Sequence, residues 1–153
     1  MQLSKNFTLA EMTATSYKVN NTPNLVQIEH LKKTCEMLQT LRDVYGKPIK
    51  ITSGFRSAVL NKLVNGSATS AHSHGYAADT KPINASMTEY QKLVLEWAKT
   101  HKFDQIIIEY PKNYVASWIH IGYKNGSGLQ RCQILYTNDG KNYPKINEKF
   151  YLK

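Results

Sequence analysis

The chain has 153 residues, with 20 Lys and Arg against 11 Asp and Glu, giving a net charge of +9 and a pI near 9.5. A hydrophobic fraction of 41% and ten tyrosines fit one folded domain with a sizeable core and exclude a disordered chain. The charge favours acidic partners such as nucleic acid, anionic membranes or anionic wall polymers, but lysines scattered as Lys32-Lys33, Lys47, Lys50, Lys62 and Lys141 form no nucleic-acid arm.

The opening residues Met1 to Phe7 carry no apolar core and no cleavage pattern of a secretory signal, and no run nears the roughly 18 apolar residues of a membrane span. The expectation is a protein made without a signal peptide. Thr8-Leu9-Ala10-Glu11 has capping-box spacing and predicts a short helix after Thr8. Thr22 reads as the N-cap of a second helix with Pro23 in its first turn. Ile28, Leu31, Cys35, Leu38, Leu41 and Tyr45 then recur on one helical face up to Gly46, the stop signal. Ile49 to Thr52 alternates as a strand, Ser53-Gly54-Phe55-Arg56-Ser57 reads as a loop, and Ser57 to Val64 as a short helix.

Ala77 to Thr80 predicts a short interior strand. Ser86 and Glu89 form a second capping box for a helix that turns Tyr90, Leu93, Val94 and Trp97 inward. Ile106-Ile107-Ile108 is the apolar run of a central strand covered on both faces. In Trp118-Ile119-His120-Ile121-Gly122, alternation puts Trp118, His120 and Gly122 on one face and the isoleucines on the other. Gln133 to Tyr136, a turn at Asn138-Asp139-Gly140, and Asn142-Tyr143 suggest a C-terminal hairpin. Neither Cys35 nor Cys132 has a CxxC partner, which excludes a zinc ribbon or a thioredoxin-type site; both read as core residues, with a disulfide left open. The order of elements predicts an α+β fold over 1–153, with N-terminal helices packed on a small, mainly antiparallel sheet.

The chemistry concentrates in Ser70-Ala71-His72-Ser73-His74-Gly75-Tyr76-Ala77-Ala78-Asp79. Imidazole and carboxylate are ligands of catalytic zinc, which takes three protein ligands. His72, His74 and Asp79 are candidates here, and His120 on its strand is the candidate from outside. A polar loop rich in turn residues would account for the histidine pair equally well, and a satisfied core histidine for His120. His30 and His101 are better explained structurally, the latter near a helix C-terminus.

Taken together, Ser53-Gly-Phe-Arg-Ser57, Ser70-x-His-x-x-Gly-x-Ala-x-Asp79 and Trp118-Ile-His-Ile121 resemble the zinc D-Ala-D-Ala carboxypeptidase and L-alanyl-D-glutamate endopeptidase family of peptidoglycan peptidases, whose fold Hedgehog signalling domains share. Phe7-Thr-Leu-Ala-Glu11, Asn21-Thr-Pro23 and Asp104-Gln-Ile-Ile-Ile-Glu109 are similar to its phage-type branch, and the likeness covers about residues 4–124, leaving the hairpin of 125–153 outside. The resemblance implies one Zn2+ per chain held by His72, Asp79 and His120, with His74 at the cleft rim. It implies that Arg56 steadies the substrate carbonyl or carboxylate, that Ser70 and Trp118 contact substrate, and that the sheet carries the site. Many relatives place an acid three residues before the last histidine; here that position is Ser117, so Glu109, the nearest upstream carboxylate, becomes the candidate general base. The implied function is hydrolysis of a peptidoglycan stem-peptide amide by a monomeric phage or prophage murein hydrolase acting at the cell wall, binding no specific nucleic acid. A zinc-bearing binding domain without turnover is the alternative.

Overall fold

The computed structural model describes residues 1–153. Five strands form one sheet: β1 (Ile49–Ser53), β2 (Ala77–Pro82), β3 (Gln105–Glu109), β4 (Trp118–Gly122) and β5 (Gln133–Thr137), in the spatial order β1-β2-β4-β3-β5. All neighbours are antiparallel except β3 and β5, which run parallel. The helices are α1 (Leu9–Thr13), α2 (Leu25–Tyr45), α3 (Ala58–Leu63) and α4 (Met87–Ala98), with 3₁₀ turns at Ala71–His74 and Glu148–Tyr151. This is the α+β fold expected, with a mainly antiparallel sheet.

Thr8 caps α1 by accepting from Glu11 N, and Ser86 caps α4 by accepting from Glu89 N. Helix α2 begins two residues later than Thr22 suggests. Its N-cap is Asn24, which forms a reciprocal capping box with Gln27, so Pro23 precedes the helix. Gly46, at φ 72°, closes α2 by donating its N–H to the Arg42 carbonyl, in a conformation that a Cβ disfavours.

Strand alternation divides the sheet into two faces. Ala78, Ile106, Ile108, Ile119 and Ile121 join Leu31, Cys35, Leu38 and Leu41 of α2 and Tyr90, Val94 and Trp97 of α4 in one buried cluster. On α4, Leu95 is buried where the periodicity favoured Leu93. The Tyr90 hydroxyl is buried but satisfied, donating to Thr80 Oγ1 at 2.6 Å, and Thr80 donates on to the Ile119 carbonyl. The opposite face, with Asp79, Glu109, Trp118 and His120, is left for the site.

The cysteines differ from each other. Cys35 is a buried thiol pushed up to about 12 by burial. Cys132, expected in a strand and in the core, is instead exposed, just before β5, with φ at 53°. The chain turns there to bring Cys132 N onto the Phe103 carbonyl and Gln133 N onto the Asp104 carbonyl. The two thiols are free.

The C-terminal hairpin is also looser than its sequence suggests. The return runs through Pro144–Ile146, not Asn142-Tyr143, and touches β5 through the single bridge Leu135–Lys145. The main pairing of β5 is with β3. Phe150 then plugs the core, its carbonyl accepting from Gln91 Nε2.

Candidate metal centre

The strand register builds most of the site. Asp79 and His120 are direct partners across β2 and β4, so both side chains leave the same face, and Ser53 lies beyond Asp79 on β1. His72 arrives from the 3₁₀ turn immediately before β2. Gly75 ends that turn at φ 79°, and a Cβ there would come within 2.8 Å of the Gln27 carbonyl oxygen, so only glycine lets the turn sit against α2.

His72 Nε2, Asp79 Oδ1 and His120 Nδ1 form a nearly equilateral triangle. His120 Nδ1 lies 3.2 Å from each of the other two atoms, and His72 Nε2 lies 3.3 Å from Asp79 Oδ1. All three residues are buried. Ligands about 2.0–2.1 Å from a tetrahedral zinc stand about 3.3–3.4 Å apart, so the triangle has the size of one face of that tetrahedron. The donor set of two imidazoles and a carboxylate fits the same ion, and no other group of His, Cys, Asp and Glu converges in this way.

His72 donates from Nδ1 to the Gly54 carbonyl at 2.8 Å, which fixes its tautomer and leaves the Nε2 lone pair facing the triangle. Burial lowers its pKa, keeping it neutral, as a ligand must be. Burial alone would raise the Asp79 carboxyl. The His72 imidazole beside it and the hydrogen bond from His120 outweigh burial and hold the carboxyl well below the usual carboxylate range.

The Gly54 carbonyl is in place because of the loop after β1. A Cβ on Gly54 would collide with the Met12 carbonyl, and the Phe55 N–H donates to that same carbonyl at 2.6 Å. Buried Asn21 ties the loop down: its Nδ2 donates to the Thr13 and Phe55 carbonyls, and its Oδ1 accepts from Ser57 N. Arg56, between these anchors, donates from Nε to Ser53 Oγ at 3.1 Å and from Nη2 to Asp79 Oδ2 at 3.3 Å. It also lines a groove of about 220 Å³ with Tyr17, Thr52, Leu60 and Val64.

Glu109 pairs with Trp118 across β3 and β4, and the Trp118 indole N–H donates to Glu109 Oε2 at 2.9 Å. Burial first, then the Asp79 charge, push the Glu109 carboxyl above its ordinary value, although His120 and the indole pull the other way. Ser117, three residues before His120, uses its hydroxyl on the Tyr110 carbonyl. Ser70 caps the 3₁₀ turn by accepting from His72 N.

His74 stands outside the triangle. It packs against Gly126 and stacks at 6.4 Å on Tyr76, while its carbonyl accepts from His30 Nδ1. His30 stacks on the same tyrosine at 4.1 Å. His101 binds the Trp97 carbonyl at the end of α4. The contributions of Gly54 and Asn21 escape a reading by residue chemistry, since one acts through its carbonyl and the other through backbone contacts far apart in sequence. The glycine of Ser53-Gly54-Phe55 was the available signal.

No curated protein matches the chain. The family model described as Peptidase M15 matches residues 5–122, a span that contains the metal triangle, Arg56 and Glu109. That match covers most of the chain, which therefore belongs to the peptidase M15 family, a family of zinc peptidases.

Proposed function

We propose that the protein is a zinc metallopeptidase that hydrolyses an amide bond in peptidoglycan stem peptides, of the D-Ala-D-Ala carboxypeptidase or L-Ala-D-Glu endopeptidase type, and that it serves a phage or prophage as a murein hydrolase at the cell wall. The observation that carries this reading is the Nε2–Oδ1–Nδ1 triangle, flanked by a carboxylate of raised pKa and by a tethered guanidinium. His72, Asp79 and His120 would hold the ion. Zinc there supplies Lewis acidity, which makes a water nucleophilic near neutral pH and polarises a carbonyl.

The chain's own groups account for the proton and charge movements. With Oε2 held by the indole, Glu109 takes the proton of the attacking water on its carboxylate. As water oxygen bonds to the carbonyl carbon, negative charge grows on the carbonyl oxygen. Arg56, with Nε and Nη2 anchored, presents its remaining nitrogen to that charge or to a substrate carboxylate. The C–N bond breaks and Glu109 returns its proton to the leaving nitrogen, giving a new carboxylate and a new amine.

The test is release of new amino termini from purified peptidoglycan by the wild type, His120→Ala and Glu109→Gln, with zinc content measured in each. Release by the wild type alone is expected, with zinc lost only from His120→Ala. Equal release by all three would overturn the reading. One zinc per chain without release by the wild type would make the protein a binding domain.

A further inference from the structure

The family match ends at residue 122, yet the chain beyond it returns to Glu109 and Tyr110 at the end of β3. Strand β5 lies beside β3 with Thr137 opposite Glu109, and Tyr110 N donates to the Thr137 carbonyl at 2.8 Å. The loop that follows is prebuilt. Asp139 Oδ1 accepts from the Lys141 and Asn142 N–H groups, its Oδ2 accepts from Asn142 Nδ2, and buried Thr137 Oγ1 accepts from Gly140 N. These bonds hold the Asp139 carboxyl well below the usual range.

The loop sits against the aromatic end of the site. Gly140, at φ 71°, is approached so closely by the Tyr110 hydroxyl that a Cβ would meet it at 2.8 Å. The Tyr110 ring packs on Trp118 at 5.3 Å, and Trp118 holds Glu109. Tyr143 donates its hydroxyl proton to the Gly140 carbonyl at 3.1 Å and remains 42% exposed. Burial, and next the Glu109 charge, raise its phenol.

We propose that Tyr143 is a substrate-positioning residue, supplied from outside the family-matched region, which completes the cleft at its Glu109 end. The inference rests on the peptidase reading above. Because the hydroxyl proton is committed to Gly140, the phenol oxygen presents lone pairs, and it suits an amide N–H of the peptide. The Tyr110 ring on Trp118, to which Gly140 links Tyr143, offers an apolar surface to short side chains such as alanine methyls. Arg56 takes anionic or carbonyl groups at the other end of the centre.

The experiment uses a synthetic stem pentapeptide and the zinc-loaded full chain. Tyr143→Phe should raise KM roughly 3-fold and Tyr143→Ala roughly 10-fold, the range of one hydrogen bond with and without the packed ring, with kcat within about twofold. Zinc content should stay at one per chain. Binding of the same peptide to Glu109→Gln, which holds the metal but does not turn over, should weaken by the same factors when either Tyr143 substitution is added. A wild type that cleaves while Tyr143→Ala keeps the same KM and peptide affinity overturns this inference alone. Loss of zinc or of the folded state in both Tyr143 variants makes the residue structural and also overturns it. A wild type that cleaves neither wall nor peptide removes the peptidase reading and this inference with it.

Discussion

Glu109 carries the most exposed chemical expectation at the scale of single residues. Burial and Asp79 raise its carboxyl, so it stays protonated, and inactive as a base, to a higher pH than an ordinary glutamate would. The acid limb of kcat/KM reports this ionisation, and a zinc ion held on Asp79, by cancelling that residue's charge, should set it lower than the Glu109 titration of the metal-free protein. Glu109→Gln should lower kcat by about 10²- to 10⁴-fold while one zinc stays bound. Trp118→Phe removes the indole donor that stabilises the ionised form, so the same limb should move up in pH without loss of metal. A pH profile of the three proteins checks both expectations. The convergence of His72, Asp79 and His120, with Arg56 beside Asp79, was legible because the family's spacing marks those positions. The choice of His72 over His74 has a local cause that sequence hides: the Gly54 carbonyl orients one imidazole, whereas Gly126 and Tyr76 take the other.

Among the elements, the loop of Ser53–Ser57 depends on contacts that are remote in sequence. Asn21 satisfies three backbone groups at once, on Thr13, Phe55 and Ser57. Asn21→Ala leaves those groups without partners in a largely buried place and should cost about 2–3 kcal/mol, read as a lower urea midpoint at unchanged slope. Because Arg56 sits between two of those anchors, kcat/KM should fall further than the lost stability explains at temperatures where the variant remains folded. Helix α2 and the alternation of β4 were readable from periodicity, since burial on one face imposes it. The cap at Asn24 was not: Thr22-Pro23 is as good a local signal, and only the reciprocal bonds with Gln27 decide. The partnership of β5 with β3 is non-local and parallel, so nothing in the turn chemistry of Asn138 to Gly140 announces it.

For the whole molecule, the metal triangle joins β2, β4 and the 3₁₀ turn, so an ion bound there stabilises the fold through its preference for the folded chain. At a free zinc concentration a thousand times Kd this amounts to about 4 kcal/mol. Chelation should lower Tm, and zinc should restore it, whereas His120→Ala should melt at the same temperature with and without chelator. The net charge of +9 acts at longer range. The initial rate on intact, anionic walls should drop as salt shortens the Debye length from about 8 Å to about 3 Å, while kcat on a short neutral peptide stays nearly constant. Equal salt dependence on the two substrates would locate the effect in the active site, not in surface attraction.

The parallel seat of β5 also sets the order of assembly. Strand β3 cannot be flanked on both edges until the seventeen residues from Ile121 to Thr137 are in place, nor can Phe150 seal the core until thirteen more have followed. The three residues of the metal triangle thus all precede β5 and the turn of Phe150 in the chain. Non-local pairing of this kind slows folding relative to local helix formation. The residues of the metal triangle converge through β2, β4 and the 3₁₀ turn alone, so capture of an ion and closure of the sheet by β5 are separable steps of folding.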